Sequence, residues 1–215
     1  VISSGCTSAD STTLSDALKI IRKYSLEAKF PKTVISHLKK NSSKKTITQK
    51  NLRIKNKIIA TNQDCLDSMV SKSQVLGFKT IISPIIQHDV VISAKRLVKM
   101  IPKNRRSCII FGGEPTVNVK GKGKGGRNQE LVLQILKLTH HSNQNLIISS
   151  IGTDGIDGNT KYSGALIENN SYKPEEITHY LKNNNSNLFF KKYGGLIKTG
   201  YTHTNLMDIG LILKY

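Results

Sequence analysis

Lys120, Lys122, Lys124 and Arg127 are threaded through a run of glycines, K-G-K-G-K-G-G-R, at residues 120–127. Glycine lets backbone N–H groups come close to an oxyanion, and a helix opening after such a loop points its positive end at the same place. The lysines add positive charge, and Arg127 can grip phosphate or carboxylate oxygens in bidentate fashion. The chemistry these residues predict is binding of a small polyanion. They equally suit a solvated basic hairpin, and local composition leaves the two level.

Two nucleotide-binding classes drop out. Gly121, Gly123 and Gly126 fit G-x-G-x-x-G. A dinucleotide fold, however, places an acid about 20 residues further on, for the ribose. This chain has His140-His141-Ser142 there. No G-K-[ST] closes the loop either, so it is not a P-loop.

Two later stretches carry further candidates. Asp154 and Asp157 lie in G-T-D-G-I-D-G-N-T at 152–160. They can hold Mg²⁺ through water or orient a substrate hydroxyl, and equally can form an Asx-rich turn that bonds its own backbone. Thr199, Thr202, Thr204 and Asn205, in T-G-Y-T-H-T-N, offer hydroxyl and amide donors to a phosphate. A capping turn between strands explains any single threonine as well.

The elements that must position these residues can be read from periodicity. Cys108–Phe111 predicts a strand, followed by a G-G-E-P turn, a short strand at Thr116–Val119 and a helix over Asn128–Leu138. Strand Leu146–Ile151 delivers the aspartate loop, and strand Ile209–Leu213 follows the threonine loop. Upstream, a helix at Leu14–Tyr24 has Ser11, Thr12 and Thr13 as possible caps and Asp16 in its first turn. Pro31 opens a second helix over Lys32–Lys39, and 41–53 reads as a basic surface linker. A short strand at Lys57–Ala60, a helix over Gln63–Leu76 closed by Gly77, strand Phe78–Ile82 and helix Val90–Ile101 complete the pattern. This β-α-β-α rhythm predicts a layered α/β fold with a mainly parallel or mixed sheet. In such folds ligands sit beyond the carboxyl ends of strands, where the aspartate loop falls.

Composition narrows the setting. The 215 residues are 37% hydrophobic without tryptophan, so the core should be built from Ile, Leu and Val. No run of about 18 apolar residues exists to span a membrane. Cys6, Cys65 and Cys108 are odd in number and widely spaced, which predicts reduced thiols and a cytoplasmic chain. The histidines lack zinc-like spacing with them. The net charge of +19 comes mostly from outside the glycine loop. Runs such as N-S-S-K-K, K-N-N-N-S-N and H-H-S-N-Q-N favour compositional bias as its source. The basic stretches also lack the interleaved aromatics of a nucleic-acid face.

G-G-E-P-T-V-N-V-K-G-K-G-K-G-G-R-N-Q-E at 112–130 closely resembles the signature of the MOFRL domain, the C-terminal part of the type-2 glycerate kinases. The aspartate loop resembles that family's G-T-D-G-x-D-G-x-T, with Asn159 for the usual proline and Lys161 for an acid. The threonine loop resembles T-G-P-T-G-T-N, with Tyr201 for proline and His203 for glycine. His203 is therefore read as a substitution rather than a catalyst. Residues 4–13 resemble S-G-P-T-x-x-D-x-T-T with Cys6 for proline. Leu181–Phe190 falls where the family has an N-D-S-Y-x-F-F-like segment, with Asn185 for the acid and Asn187 for the tyrosine.

The resemblance implies a remnant of an N-terminal α/β domain at 1–52 and a second α/β domain at 53–215, with the MOFRL core at about 105–213. It implies ATP-dependent phosphorylation of D-glycerate to 2-phosphoglycerate with Mg²⁺. Arg127 would hold the transferring phosphoryl or the substrate carboxylate, and Asp154 and Asp157 would hold metal or the hydroxyl. Glu114, Lys122, Lys124, Gly125, Gly126, Asn128 and Thr153 would line glycerate and nucleotide, together with Thr199, Thr202, Thr204 and Asn205. The family site lies in a cleft between two domains. The expected partner is thus the N-terminal domain or a separately encoded half, and this chain alone is expected to be incomplete for catalysis. The reading from another class is a non-catalytic module that binds nucleotides, other anions or nucleic acid.

Overall fold

The computed structural model describes residues 12–42, 55–103, 106–142, 144–169 and 172–215. The chain divides into two compact units, Val1–Ile59 and Ala60–Tyr215. Cys6 and Ser11 lie outside the described residues.

In the first unit, helix α1 (Leu14–Lys23) starts at Thr13. The Thr13 hydroxyl accepts from the Asp16 N–H, and the Asp16 carboxylate accepts from the Thr13 backbone, a reciprocal capping box. Of the three possible caps, Thr13 therefore takes the role. Leu18 and Ile21 form its buried stripe. Helix α2 (Lys32–Lys40) follows Pro31, whose fixed φ suits a helix start.

The second unit opens with helix α3 (Asn62–Val75), again under a capping box, Thr61 with Asp64. The expected strand at Lys57–Ala60 does not form: 55–61 is irregular, and Ile58 and Ile59 are exposed. So short a run, with three apolar residues, becomes a strand only when a neighbouring ladder accepts it, and none among the described residues does. Then come β1 (Lys79–Ile82), α4 (Val90–Lys99), β2 (Ser107–Gly113), α5 (Arg127–Thr139), β3 (Leu146–Gly152) and β4 (Gly164–Glu168). Helices α6 (Pro174–Lys182) and α7 (Ser186–Tyr193) and strands β5 (Leu196–Ile197) and β6 (Asp208–Lys214) complete it. Thr116 makes only an isolated bridge to Asp89, so the expected strand at Thr116–Val119 is absent. That segment is free to lead into the glycine loop.

The six strands lie in the order β1-β2-β6-β3-β4-β5. Among the described strands only β1 and β2 pair in parallel, so the sheet is mixed and largely antiparallel. Alternation along β2 splits the core. Ile109 and Phe111 join α4, α5, α6 and α7 on one face, while Cys108 and Ile110 meet Leu66, Met69 and Val70 of α3 on the other. Each large apolar side chain buried in this way contributes about 1.5–3 kcal/mol. The all-buried run of β2 is the sequence mark of a strand covered on both faces.

Topology fixes where the site falls. Because β6 runs antiparallel to both neighbours, its first residue, Asp208, pairs with the last residues of β2 and β3, Gly113 and Gly152. The loops at 114–126, 153–163 and 198–207 therefore open at one end of the sheet, beside the first turn of α5. No described helix is long and apolar enough to cross a membrane.

Candidate active site

Arg127 opens α5 and sits at the junction of these loops. Its guanidinium makes a side-on fork with Asp208, Nε donating to Oδ2 at 2.5 Å and Nη2 to Oδ1 at 3.0 Å. Nη2 also donates to Glu114 Oε1 at 3.3 Å. Asp208 is 1% exposed, whereas the side chains of Arg127 and Glu114 are 37% and 47% exposed. The hydrogen bond to Asp208 raises the Arg127 pKa. Burial pushes the Asp208 carboxyl up, against the pull of Arg127. The strong contact is thus the buried one, and among the described residues Arg127 Nη1 has no hydrogen-bond partner.

Asp157 is 1% exposed and accepts four hydrogen bonds. The backbone N–H and side-chain amide of Asn128 donate to Oδ1 at 2.9 and 3.3 Å. Those of Gln129 donate to Oδ2 at 2.8 and 3.0 Å. The residue before α5 is Gly126, which has no side chain to cap the helix. Asp157 supplies that cap from another loop, satisfying two of the orphan N–H groups of the first turn. Burial pushes its carboxyl up to about 6, opposed by these bonds. The network continues from Ser150 Oγ, which donates to Asn128 Oδ1, to Asn187 Nδ2, which donates to Gln129 Oε1.

Asp154 is half-buried, and its Oδ1 accepts the Ile156 N–H at 3.0 Å in an Asx turn. It faces a cleft of about 680 Å³ that Thr116, Gly126, Arg127, Glu130 and Asn184 also line. Among the described residues no three acidic, histidine or cysteine side chains gather to cage a metal. A Mg²⁺ ion normally takes one or two carboxylates and finishes its shell with water and substrate phosphates. Asp154, with one oxygen uncommitted, fits that donor set. Asp157 does not, because each of its oxygens already serves two N–H donors.

The glycine loop is engaged internally. The N–H groups of Lys120 and Gly121 donate to Asn184 Oδ1 at 2.7 and 2.9 Å. Gly123 donates to the Asn183 carbonyl, Lys124 to Asn185 Oδ1 and Gly125 to Asn159 Oδ1. Five backbone donors that the sequence offers to an oxyanion are therefore spent on asparagines. A Cβ on Gly126 would overlap the Asp157 carboxyl carbon, so the glycine is needed for close packing. Lys122 and Lys124 remain exposed around this framework.

The threonine loop is also partly committed. Thr153 Oγ1 donates to the Met207 carbonyl at 2.7 Å and accepts the Leu206 N–H at 2.7 Å, tying the aspartate loop to the start of β6. Thr202 Oγ1 donates to the Thr153 carbonyl, Thr199 Oγ1 to the Gly200 carbonyl, and Asn205 Oδ1 accepts the Met207 N–H. Thr204 is exposed, its carbonyl accepting from the Thr202 hydroxyl. His203 has φ 58°, a left-handed backbone where the related pattern has glycine.

The structure brings Arg127, Glu114, Asp154, Asp157 and the glycine loop together. It adds three contributors absent from the sequence expectations. Asp208 reads in sequence as an ordinary strand start. Glu130, buried and bonded by the Asn184 amide at 3.3 and 3.2 Å, lines the cleft. Burial raises its pKa. Asn183 and Asn184 read as compositional bias and Asn185 as a departure from the family's acid, yet together they form the template for the loop.

These features define a layered α/β domain whose site lies outside the strand ends, with one outward guanidinium edge set among carboxylates. Its sequence agrees with known proteins over the same stretch. The profile of the MOFRL family matches residues 107–208, and that of a domain of unknown function (DUF4147) matches 1–39. Residues 107–208 belong to the MOFRL family. A D-glycerate 2-kinase of Thermotoga maritima is 34% identical over 99% of this chain and 53% of its own length. A glycerate 2-kinase of Pyrococcus horikoshii is 32% identical over 97% of this chain and 51% of its own. The crystal structure of glycerate kinase from Thermotoga maritima superposes with a TM-score of 0.75 at 30% identity, covering 96% of this chain and 51% of that one. The chain spans about half the length of these relatives.

Proposed function

We propose that this chain forms one side of the active site of an ATP-dependent glycerate 2-kinase. The γ-phosphoryl of ATP passes to the 2-hydroxyl of D-glycerate, the hydroxyl loses its proton, and ADP and 2-phosphoglycerate leave. The observation that carries this reading is Arg127, pinned on one edge and open to the cleft on the other. Phosphoryl transfer asks a protein mainly for positioning and charge neutralisation. A fixed guanidinium that meets the transferring phosphoryl or the glycerate carboxylate supplies both.

Asp154 is the carboxylate we assign to Mg²⁺, which when bound would neutralise charge on the nucleotide phosphates. Asp157 acts by holding the first turn of α5, and with it Arg127. Lys122 and Lys124 attract anions through their charge. Gly125 and Gly126 line the cleft, Asn128 supports it from beneath through Asp157, and Thr153, Thr199, Thr202, Thr204 and Asn205 belong to the loops that we take to meet glycerate or nucleotide. The relatives are about twice as long as the matched stretch. We therefore take the second wall to come from a further α/β part, in the same polypeptide or as a separate half. The free thiols Cys65 and Cys108 suit a reducing cytoplasm.

The test is glycerate-dependent release of ADP from MgATP by the polypeptide carrying this chain, with the product identified by ³¹P NMR. The proposal expects 2-phosphoglycerate. Release of ADP that does not depend on glycerate, or formation of only the 3-phosphate, would sink it.

A further inference from the structure

We propose that Asp208 is the residue that positions Arg127 for the reaction, an inference that rests on the kinase reading above. The Asp208 backbone is pinned on both sides, paired with Gly113 of β2 and Gly152 of β3. Its carbonyl accepts the Asn62 amide at 3.1 Å. Neither main chain nor carboxylate has room to drift, because the residue is 1% exposed. The fork of 2.5 and 3.0 Å onto Nε and Nη2 then fixes the guanidinium plane. The end carrying Nη1 is left toward the cleft that Arg127 lines. Glu114 approaches the same guanidinium at 3.3 Å from a half-exposed position, so it follows the arginine rather than setting it. A free arginine carries about 2 kcal/mol of rotamer entropy, which this socket removes before substrate arrives. Asp208 lies behind the arginine and touches no reacting atom in this arrangement. Its role is positioning, distinct from that of Arg127.

Two arginine variants leave Asp208 intact. Arg127→Ala should lose turnover by about 100-fold or more. Arg127→Lys should lose nearly as much, because an ammonium keeps the charge but cannot fill the fork. Guanidinium ion added to Arg127→Ala should restore part of the turnover by occupying the socket. In the double variant Arg127→Ala, Asp208→Asn, rescue should vanish while the further loss stays small, the signature of residues acting as a unit. Near-normal turnover in Arg127→Lys would overturn the proposal, as would independent, fully multiplicative losses. Failure of the kinase reading looks different: the unsubstituted protein would release no ADP with glycerate. Guanidinium binding to the Arg127→Ala chain, followed by the Asp208 amide NMR shift, then decides the matter without turnover. Saturable shifts that Asp208→Asn abolishes support the socket, and their absence overturns it.

Discussion

The glycine loop at 120–126 and the first turn of α5 carry adjacent parts of one sequence signature, yet they use their hydrogen-bonding groups in opposite ways. The loop spends its backbone donors on Asn159, Asn183, Asn184 and Asn185. The helix start spends its own on Asp157, which leaves the Arg127 side chain to face outward. Glycine here serves close packing between loops. The groups left to face the cleft are side chains that this packing aims.

If packing is what the glycines provide, adding a methyl group should cost stability before it costs binding. Gly126 has φ −153°, extended backbone that any residue adopts, so Gly126→Ala tests sterics alone. Its Cβ would meet the Asp157 carboxyl and backbone, both held in a buried network. We expect a loss of about 3 kcal/mol, the upper range for overpacking, read as a lower urea midpoint at unchanged slope. A neutral substitution would mean that the loop has room for an anion after all.

Asp157→Ala attacks the other side of the same contact. It strips the cap from two buried N–H groups and should cost about 2 kcal/mol, again by urea unfolding. Its pH dependence has a definite sign. Burial holds the folded carboxyl at about 6, above its ordinary value of 3.8, so the folded state binds this proton more readily than the unfolded one. Stability from this group therefore rises as pH falls from above 6 toward the ordinary carboxylate range, and is lost as pH climbs back through 6. Asp157→Asn should be less stable at neutral pH and should lack this rise between pH 7 and 5. An unchanged slope would place the titration on another group.

These two variants mark what could be read from the chain and what could not. Helix α5 and strands β2, β3 and β6 were legible because apolar periodicity and flanking glycines specify them locally. The convergence of three loops was not, since it depends on β6 entering between β2 and β3, and period-2 patterns do not name their partners. Helix–strand alternation allowed a mainly parallel sheet, but only the α4 crossover joins a parallel pair. Asp208 was hidden for the same reason: its partner Arg127 lies 81 residues away. The asparagine run looked like bias because its meaning lies in the backbone it faces.

Asn184→Ala separates the glycine loop from the helix start at smaller cost. Asn184 tolerates its φ of 48° and links the loop to Glu130. The alanine variant should lose about 1–2 kcal/mol, as Lys120 and Gly121 lose an acceptor and the Glu130 carboxylate loses its amide. It should also loosen the loop, seen as faster hydrogen exchange at Lys120 and Gly121 with α5 still protected. Exchange that speeds up equally in α5 would mean that loop and helix form one unit rather than two.

The smallest effect is a gain. His203 holds φ 58° on an exposed turn, and its imidazole makes no hydrogen bond or ion pair among the described residues. Left-handed backbone costs an ordinary L-residue about 1–2 kcal/mol, and histidine somewhat less than a β-branched residue. Glycine relieves that strain but gives back about 0.5–1 kcal/mol through the greater freedom of its unfolded chain. His203→Gly should therefore stabilise by about 0.5 kcal/mol, a rise of 1–2 °C in midpoint for a chain of this size. Because the turn borders Thr153 and Asp154, the variant also asks whether this strain serves the site. Unchanged turnover with a raised midpoint assigns the histidine to tolerated strain. A fall in turnover would mean that the imidazole acts in the cleft, moving chemistry onto a loop that otherwise only frames it.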